Sequence, residues 1–524
     1  MPAPPDASPH SVPEEASAHM APHKRVAFAV AECAPWCMTG GLGDVAGALP
    51  RALRELGADV AVFLPLYRTV RERIYGRGCA LQDTGAVSSV WFGAHRLDGR
   101  WFRILETVVP GSLDHEGHLP HHVPTFVFDC PVLYDRDGLY GHGDDCARFS
   151  TFCRAVLNSS SRLMGGPPDV IHCHDWHTAL IPLFLEGPYR RLLPDTASVL
   201  TIHNLAYQGV QPAEELATTG LGPEFFTFER LEFYGRVNML KGGLAAADAL
   251  TTVSPRYAEE IRTPAFGERL EGVLRAHERR LHGIVNGIDA ETWNPEADPH
   301  LPAAFNENDL AGKAICRRNL LSGAGMDPDD PHPVFGIVSR FARQKGLDLV
   351  AELVPWLAQR SVRLLVLGKG EKWLEEWFQN LALQYPHHLR VRLGHEPDLA
   401  HVLQAGADVF LMPSRYEPCG LSQLYAMRYG TVPIVHAVGG LRDTVGDLSG
   451  HGLATGTSTG FRFEHDTVAG LQWATDRALS VFYTEPDIWR QLQRNGMKQD
   501  FSWRRSGASY LDVYGQAMAR RRHG

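Results

Sequence analysis

Apolar residues come in short runs that end in polar or glycine-rich positions, and between the runs they recur at helical spacing. Val26-Ala27-Phe28-Ala29-Val30 is a run of buried-strand type. A glycine loop follows, Met38-Thr39-Gly40-Gly41-Leu42-Gly43. From Asp44 to Leu56 the apolar positions Val45, Leu49, Leu53 and Leu56 predict a helix that stops at Gly57. The run at 59–64 is the next strand, which completes a βαβ unit with a glycine turn at the strand's carboxyl end. Further strands are predicted at 170–174, 199–203, 249–253 and 283–285. A second series follows the polar, proline-containing stretch around 290–333. Its strands at 334–339, 362–367, 389–393, 409–412 and 432–435 alternate with helices near 346–359, 371–385, 398–405 and 420–429. Strands separated by helices make parallel sheets covered on both faces. The fold class is therefore α/β, two doubly wound domains with a crossover near residue 285. From about 486 the chain is helical, with Trp489, Leu492, Trp503, Tyr510, Leu511 and Tyr514 as apolar anchors.

Composition narrows the partners. The 524 residues are 44% hydrophobic and 21% charged, ordinary for a soluble globular protein with sizeable cores. No apolar stretch approaches the roughly 18 residues of a membrane span, so no membrane partner is expected. A net charge of -9, from 51 basic and 60 acidic residues, argues against nucleic acid, whose phosphate backbone needs a positive field. A nucleotide diphosphate needs only a few placed cations, and lysine is scarce, with seven in the chain. Nine scattered cysteines without a C-x-x-C pair read as reduced thiols in the cytoplasm. Residues 1–23, rich in Pro, Ala, His and Ser and lacking an apolar core segment, read as a disordered tail rather than a secretory signal.

In open parallel sheets, ligands bind beyond the carboxyl ends of the strands. The polar residues at those ends are Gly40-Gly41, the segment from His172 to His177, His203-Asn204, Asn286-Gly287, Arg340 with Lys345, Gly368, His395, and Ser414 through Ser422. Arg340 and Lys345 flank a loop between a buried strand and a helix opening near Gly346. Paired cations, backbone N–H groups and a helix N-terminus are what a diphosphate requires. The bland alternative is a solvated basic loop. Glu417, before the next helix, is placed to accept hydrogen bonds from sugar hydroxyls, or merely to act as an acid at a helix start. His172 and His174 share a strand face and His177 follows in the loop. Zinc asks for more ligands and a second shell, which nothing nearby supplies, so no metal is expected. Trp176 offers a face for a sugar ring.

As an ordered set these motifs resemble the bacterial glycogen synthase and starch synthase family, retaining glucosyltransferases that use ADP-glucose. The matching pieces are Thr39 to Val45, His174-Asp175-Trp176-His177, Thr201 to Gly209, Val285-Asn286-Gly287-Ile288-Asp289, Ser339-Arg340 through Gln344-Lys345-Gly346-Leu347-Asp348, and Pro413 to Leu421. The resemblance covers about residues 24–520. It implies the GT-B fold, two Rossmann-like domains facing across a deep cleft, with the C-terminal helix returning to the first. The acceptor-side domain would then be 24–281 plus 498–524, and the nucleotide-sugar domain 282–497. The resemblance further implies that Arg340 and Lys345 stabilise the ADP leaving group, that Glu417 orients the transferred glucose, that His203 lies beside the anomeric carbon, and that Asp175 lines the site. Donor contacts would come from Met38, Gly40, Gly41, Asp44, Asn286, Gly368, His395, Cys419, Gly420, Leu421 and Ser422, and acceptor contacts from Trp176, His177, Asn204 and Tyr207. The implied substrates are ADP-glucose and glycogen or another α-1,4-glucan, with no metal or other cofactor.

Two positions depart from the family pattern. Met38 stands where the glycine loop normally starts with Lys, and His395 aligns with the Tyr that stacks on adenine. They leave open another donor, such as UDP-glucose, or a weakly active glucan-binding or regulatory homologue.

Overall fold

A computed structural model describes residues 24–90, 100–109 and 123–523; the predicted tail at 1–23 lies outside the described residues. The first sheet runs, in spatial order, Leu281–Gly283, Ala249–Thr252, Ala197–Ile202, Val170–His174, Arg25–Ala29, Asp59–Pro65, Val123–Asp129, Arg100–Val109 and Gln82–Val90. The strands from Leu281–Gly283 to Val123–Asp129 are parallel and the last two are antiparallel. Apolar runs such as Val26–Ala29 are fully buried, as a sheet covered on both faces demands. The sequence pattern missed the antiparallel edge. Gln82–Val90 alternates exposed and buried positions and carries Thr, Gly and Ser, so it offers no continuous apolar run to detect. The predicted strand at 283–285 is also displaced, ending at Gly283.

The second sheet is wholly parallel, in the order Leu389–Leu393, Arg363–Gly368, Val334–Val338, Val409–Met412, Val432–His436 and Phe461–Phe463. Both sheets reverse strand order beside their first strand. In the first, the chain moves from Arg25–Ala29 to Asp59–Pro65 on one side and later returns to Val170–His174 on the other. In the second, Val334–Val338 is followed by Arg363–Gly368 on one side and later by Val409–Met412 on the other. Such switch points open a crevice at the strands' carboxyl ends.

The chain crosses between the sheets twice. After the crossover at 284–288 it builds the second sheet and returns through the helix Trp503–His523. That helix packs on the first lobe: the Tyr514 hydroxyl is 2.8 Å from Nδ1 of His172, and Lys24 Nζ donates to the Leu511 carbonyl at 2.8 Å. Tyr510 and Tyr514 are buried, so the last helix is part of the first core.

Candidate active site

The switch point of the first sheet gathers polar groups from three adjacent strand ends. Just beyond Arg25–Ala29, the buried Glu32 accepts hydrogen bonds from the Thr39 main-chain N–H, from the Thr39 hydroxyl at 2.7 Å and from the Tyr140 hydroxyl at 2.7 Å. These bonds hold Met38 to Gly41 at the mouth of the helix Gly41–Glu55. The helix starts at Gly41 rather than Asp44, because glycine has no side chain to register in an apolar pattern. Gly40 caps it without a side chain; the Gly43 N–H turns back to the Gly40 carbonyl at 3.1 Å, and no side-chain hydrogen bond caps the positive end of this 15-residue helix. A Cβ on Gly40 or Gly41 would meet nothing within 4 Å, so both face open space. Met38 is 44% exposed beside them. Burial, with the Glu32 charge nearby, pushes Asp44 up to about 6.

The next strand end carries His174 and Asp175. Asp175 sits at φ 51 and its Oδ1 accepts the His203 main-chain N–H at 2.7 Å. Burial drives its carboxyl up to about 7, while the N–H groups of His203 and Asn204 pull it down. Nε2 of His203 is 3.0 Å from Nδ1 of His174, and burial lowers His203 to about 3, so this imidazole is neutral at pH 7. His172 is committed to the Thr201 hydroxyl at 2.7 Å and to Tyr514. Among the described residues, no group of three or more His, Cys, Asp or Glu is placed to hold a metal ion.

Trp176 corrects an expectation. It is 8% exposed, lies 4.1 Å from the His177 ring, and is approached so closely by Gly209 that a Cβ there would fall 2.4 Å from the indole. The indole is packed into the core and presents no open face to a sugar. His177 lies 4.4 Å from the Tyr140 ring as well, and burial lowers it to about 3. Both of its ring nitrogens are buried without a hydrogen-bond partner, as is Nε2 of His174. Asn204 is half-buried and lines the same inter-lobe space as Tyr416 of the other lobe. Tyr207 is exposed.

The second sheet supplies the opposite wall. A single turn, Arg343–Lys345, leads into the helix Leu347–Gln359 through Gly346 at φ 68. A Cβ on Gly346 would lie 2.0 Å from the Pro413 carbonyl oxygen. Only glycine meets both conditions, and they press the Lys345 turn against the loop that carries Glu417. Lys345 Nζ donates to Oε2 of Glu417 at 2.6 Å, and the Ser414 hydroxyl donates to the same oxygen at 3.0 Å. Glu417 is buried. Arg340 is exposed, and its guanidinium makes no hydrogen bond or ion pair among the described residues. Gly368 ends its strand against the Ser339 carbonyl, and His395 is exposed at the end of the neighbouring strand.

Beyond Glu417, Cys419 is buried and its thiol is pushed up to about 12 by burial, with the Asn286 main-chain N–H donating to it. Gly420 is at φ 74, and Leu421 leads into the helix Ser422–Arg428. Oδ1 of Asn286 is buried without a partner. A cavity of about 490 Å³ separates the lobes beside this loop, with Asn204, Tyr257 and Glu260 on one side and Tyr416, His436 and Arg442 on the other.

The predicted residues therefore fall into two facing groups, Asp175 with His203 and Lys345 with Glu417, and Arg340 waits exposed at the edge. Glu32 and Tyr140 were missed, whereas Ser414, read only as a polar strand-end position, turns out to hold Glu417. Glu32 lies three residues beyond a buried strand, so the strand-end rule itself could have named it. Tyr140 arrives from a separate loop, and no local pattern marks it.

Comparison with known proteins gives the family and the fold. Residues 25–276 match a family model described as the starch synthase catalytic domain, and residues 326–480 match glycosyl transferases group 1. A glycogen synthase of Syntrophotalea carbinolica is 42% identical, over 94% of this chain and 99% of that protein. One from Anaeromyxobacter dehalogenans is 44% identical, over 94% of this chain and 98% of that protein. The solved catalytic domain of starch synthase IV from Arabidopsis thaliana, bound to ADP and acarbose, superposes with a TM-score of 0.83 at 31% identity, covering 95% of this chain and all of that one.

Proposed function

We propose that this chain, which belongs to the glycogen synthase family of glycosyltransferases, transfers glucose from ADP-glucose to the non-reducing end of an α-1,4-glucan with retention of configuration. The observation that carries the reading is identity above 40% along nearly the whole chain, over both halves of the cleft. The site chemistry supports it. The anomeric C–O bond to the diphosphate breaks, and Arg340 and Lys345 receive the developing negative charge, assisted by the N-terminus of the helix Gly41–Glu55. Glu417, held by Lys345 and Ser414, accepts hydroxyls of the transferred glucose. The acceptor hydroxyl enters on the face the diphosphate leaves, and its proton passes to the departing phosphate oxygen. His203 adjoins the anomeric carbon as a neutral imidazole, and Asp175 and Asn286 line the sugar. The charge neutralisation assigned to Arg340 and Lys345 leaves no step that calls for a metal or other cofactor.

We assign residues 24–281 with 498–524 to the acceptor side and 282–497 to the donor side. Nine free thiols support a reducing, cytoplasmic compartment. Among the described residues no helix is long and apolar enough to cross a membrane.

Initial rates on glycogen with ADP-glucose and with UDP-glucose test the donor, and digestion of the product by an α-1,4-specific hydrolase tests the linkage. The expected result is transfer from ADP-glucose with the new bond fully α-1,4. A strong preference for UDP-glucose would overturn the donor assignment, and no transfer from either would overturn the reaction.

A further inference from the structure

We infer that Glu260, on the first lobe, is a positioning residue that sets the Glu417 loop of the second lobe from across the cleft. The proposal rests on the role given to Glu417 above.

Glu260 ends the short helix Pro255–Glu260 and is buried. Both of its carboxylate oxygens accept the Gly439 main-chain N–H, at 3.1 Å each, and Arg256 Nε donates to Oε1 at 3.0 Å. Gly439 opens the helix Gly439–Thr444 of the second lobe, so the carboxylate meets backbone N–H at a helix start. Gly439 is at φ 45, and a Cβ on it would lie 2.0 Å from the Glu417 carbonyl oxygen. The next N–H, of Gly440, donates to that same carbonyl at 3.0 Å. One unbroken path therefore runs from Glu260 through Gly439 and Gly440 to the main chain of Glu417, whose side chain holds Lys345.

Two further bonds fasten the same short helix to the second lobe. The Ser254 hydroxyl donates to the Pro418 carbonyl at 2.6 Å, and the Arg256 N–H donates to Asp443 at 2.7 Å. On its own lobe, the Tyr257 hydroxyl accepts the Leu205 N–H at 3.1 Å, two residues after His203. The helix thus touches both halves of the site and fixes their register. Its carboxylate is engaged by the Gly439 main-chain N–H and by Arg256, so it acts through the loop.

A displacement of about 1 Å at reacting groups can cost roughly 100-fold in rate. Glu260→Ala is therefore expected to lower kcat for glucose transfer by 10- to 100-fold while the Kd for ADP stays within threefold of the wild type. Glu260→Gln keeps an acceptor oxygen for the Gly439 N–H and should recover at least a third of the lost turnover. Wild-type turnover with ADP-glucose is measured first, and its absence would fell the functional reading rather than this residue. With an active wild type, unchanged kcat in Glu260→Ala overturns the inference. So does a Kd for ADP that rises in step with the fall in kcat, or a Gln variant no better than Ala. Circular dichroism melts show whether Ala has unfolded, in which case the comparison of Gln with the wild type decides: near-normal kcat supports the inference and a loss as large as 10-fold refutes it.

Discussion

Lys345 and Arg340 carry the same charge in adjoining positions and differ in what the fold asks of them. Lys345 is held by Glu417 at 2.6 Å in a mostly buried pair, so its ammonium contributes to the folded state before any ligand arrives. Removing one partner of such a pair leaves an uncompensated carboxylate, at a cost of about 3 kcal/mol. Arg340 is exposed and unengaged among the described residues, so the fold does not use it. Lys345→Ala should lower kcat by about 10²–10³ and the thermal midpoint together. Arg340→Ala should lower the rate comparably while its stability stays within about 0.5 kcal/mol. Melts and initial rates on the same samples check the split, and equal destabilisation by the two changes would contradict it. Met38 poses the opposite case, a side chain without charge beside a helix N-terminus that no side chain caps. Met38→Lys adds a cation at the mouth of the site and should raise kcat by roughly tenfold, about 1.4 kcal/mol off the barrier. A fall in kcat would mean that the helix end already supplies what the diphosphate needs.

At the scale of elements, the strand end at His174 controls the response to acid. Burial lowers His203 and His177 to about 3, from an ordinary 6.5. Between pH 6.5 and 3 the unfolded chain takes up protons that the native chain refuses. The contribution is thus full above pH 6.5 and is lost as pH falls towards 3. Asp175 acts in the opposite sense. Its carboxyl rises to about 7 from 3.8, so its share of stability declines as pH rises through that window. From pH 6.5 to pH 5 each buried histidine withdraws on the order of 2 kcal/mol and Asp175 returns a similar amount. Two histidines, joined by His172 and His174 held down by the same burial, outweigh one carboxyl. The melting temperature should therefore fall between pH 7 and pH 5, and His177→Asn should flatten the fall. A flat profile in the wild type would contradict the cluster's burial. This cluster also shows what the chain makes legible. Most parallel strands and their polar ends could be read because buried runs are continuous and a doubly wound sheet puts its ligands at the carboxyl ends, but Val123–Asp129, broken by Pro124 and Thr125, and the three-residue Phe461–Phe463 escaped. Side-chain orientation could not. Trp176 and His177 stand next to each other in the same motif as Asp175, yet the close approach of Gly209, distant in sequence, decides that the indole is packed away. The antiparallel edge strands escaped because their alternating, half-exposed pattern resembles surface loop.

At the scale of the whole molecule, the two chain crossings between the lobes are fastened to each other. The Ile288 N–H donates to the Phe501 carbonyl at 2.8 Å, and the Ser506 hydroxyl donates to the Val285 carbonyl at 2.7 Å. Gly287 lies between these contacts, and a Cβ on it would fall 2.6 Å from the Trp503 nitrogen and 2.7 Å from its Cα. Backbone cannot yield as a flexible side chain can, so any larger residue at 287 must push the crossings apart. The sequence places Gly287 in a family motif, but the reason for a glycine there is a helix that begins more than two hundred residues later. Gly287→Val should cost about 1–3 kcal/mol through overpacking. It should also slow turnover, because Gly287 adjoins Asn286, assigned to the sugar, and joins the two lobes that close over the substrate. Ser506→Ala removes one hydrogen bond at the same junction, worth about 1 kcal/mol, without forcing the backbones apart. Melts should therefore show both variants destabilised, whereas kcat should fall only in Gly287→Val. Small-angle scattering with saturating ADP should give a larger radius of gyration for Gly287→Val than for the wild type or Ser506→Ala. Equal loss of turnover in the two variants would mean that stability alone, and not the separation of the crossings, limits the enzyme.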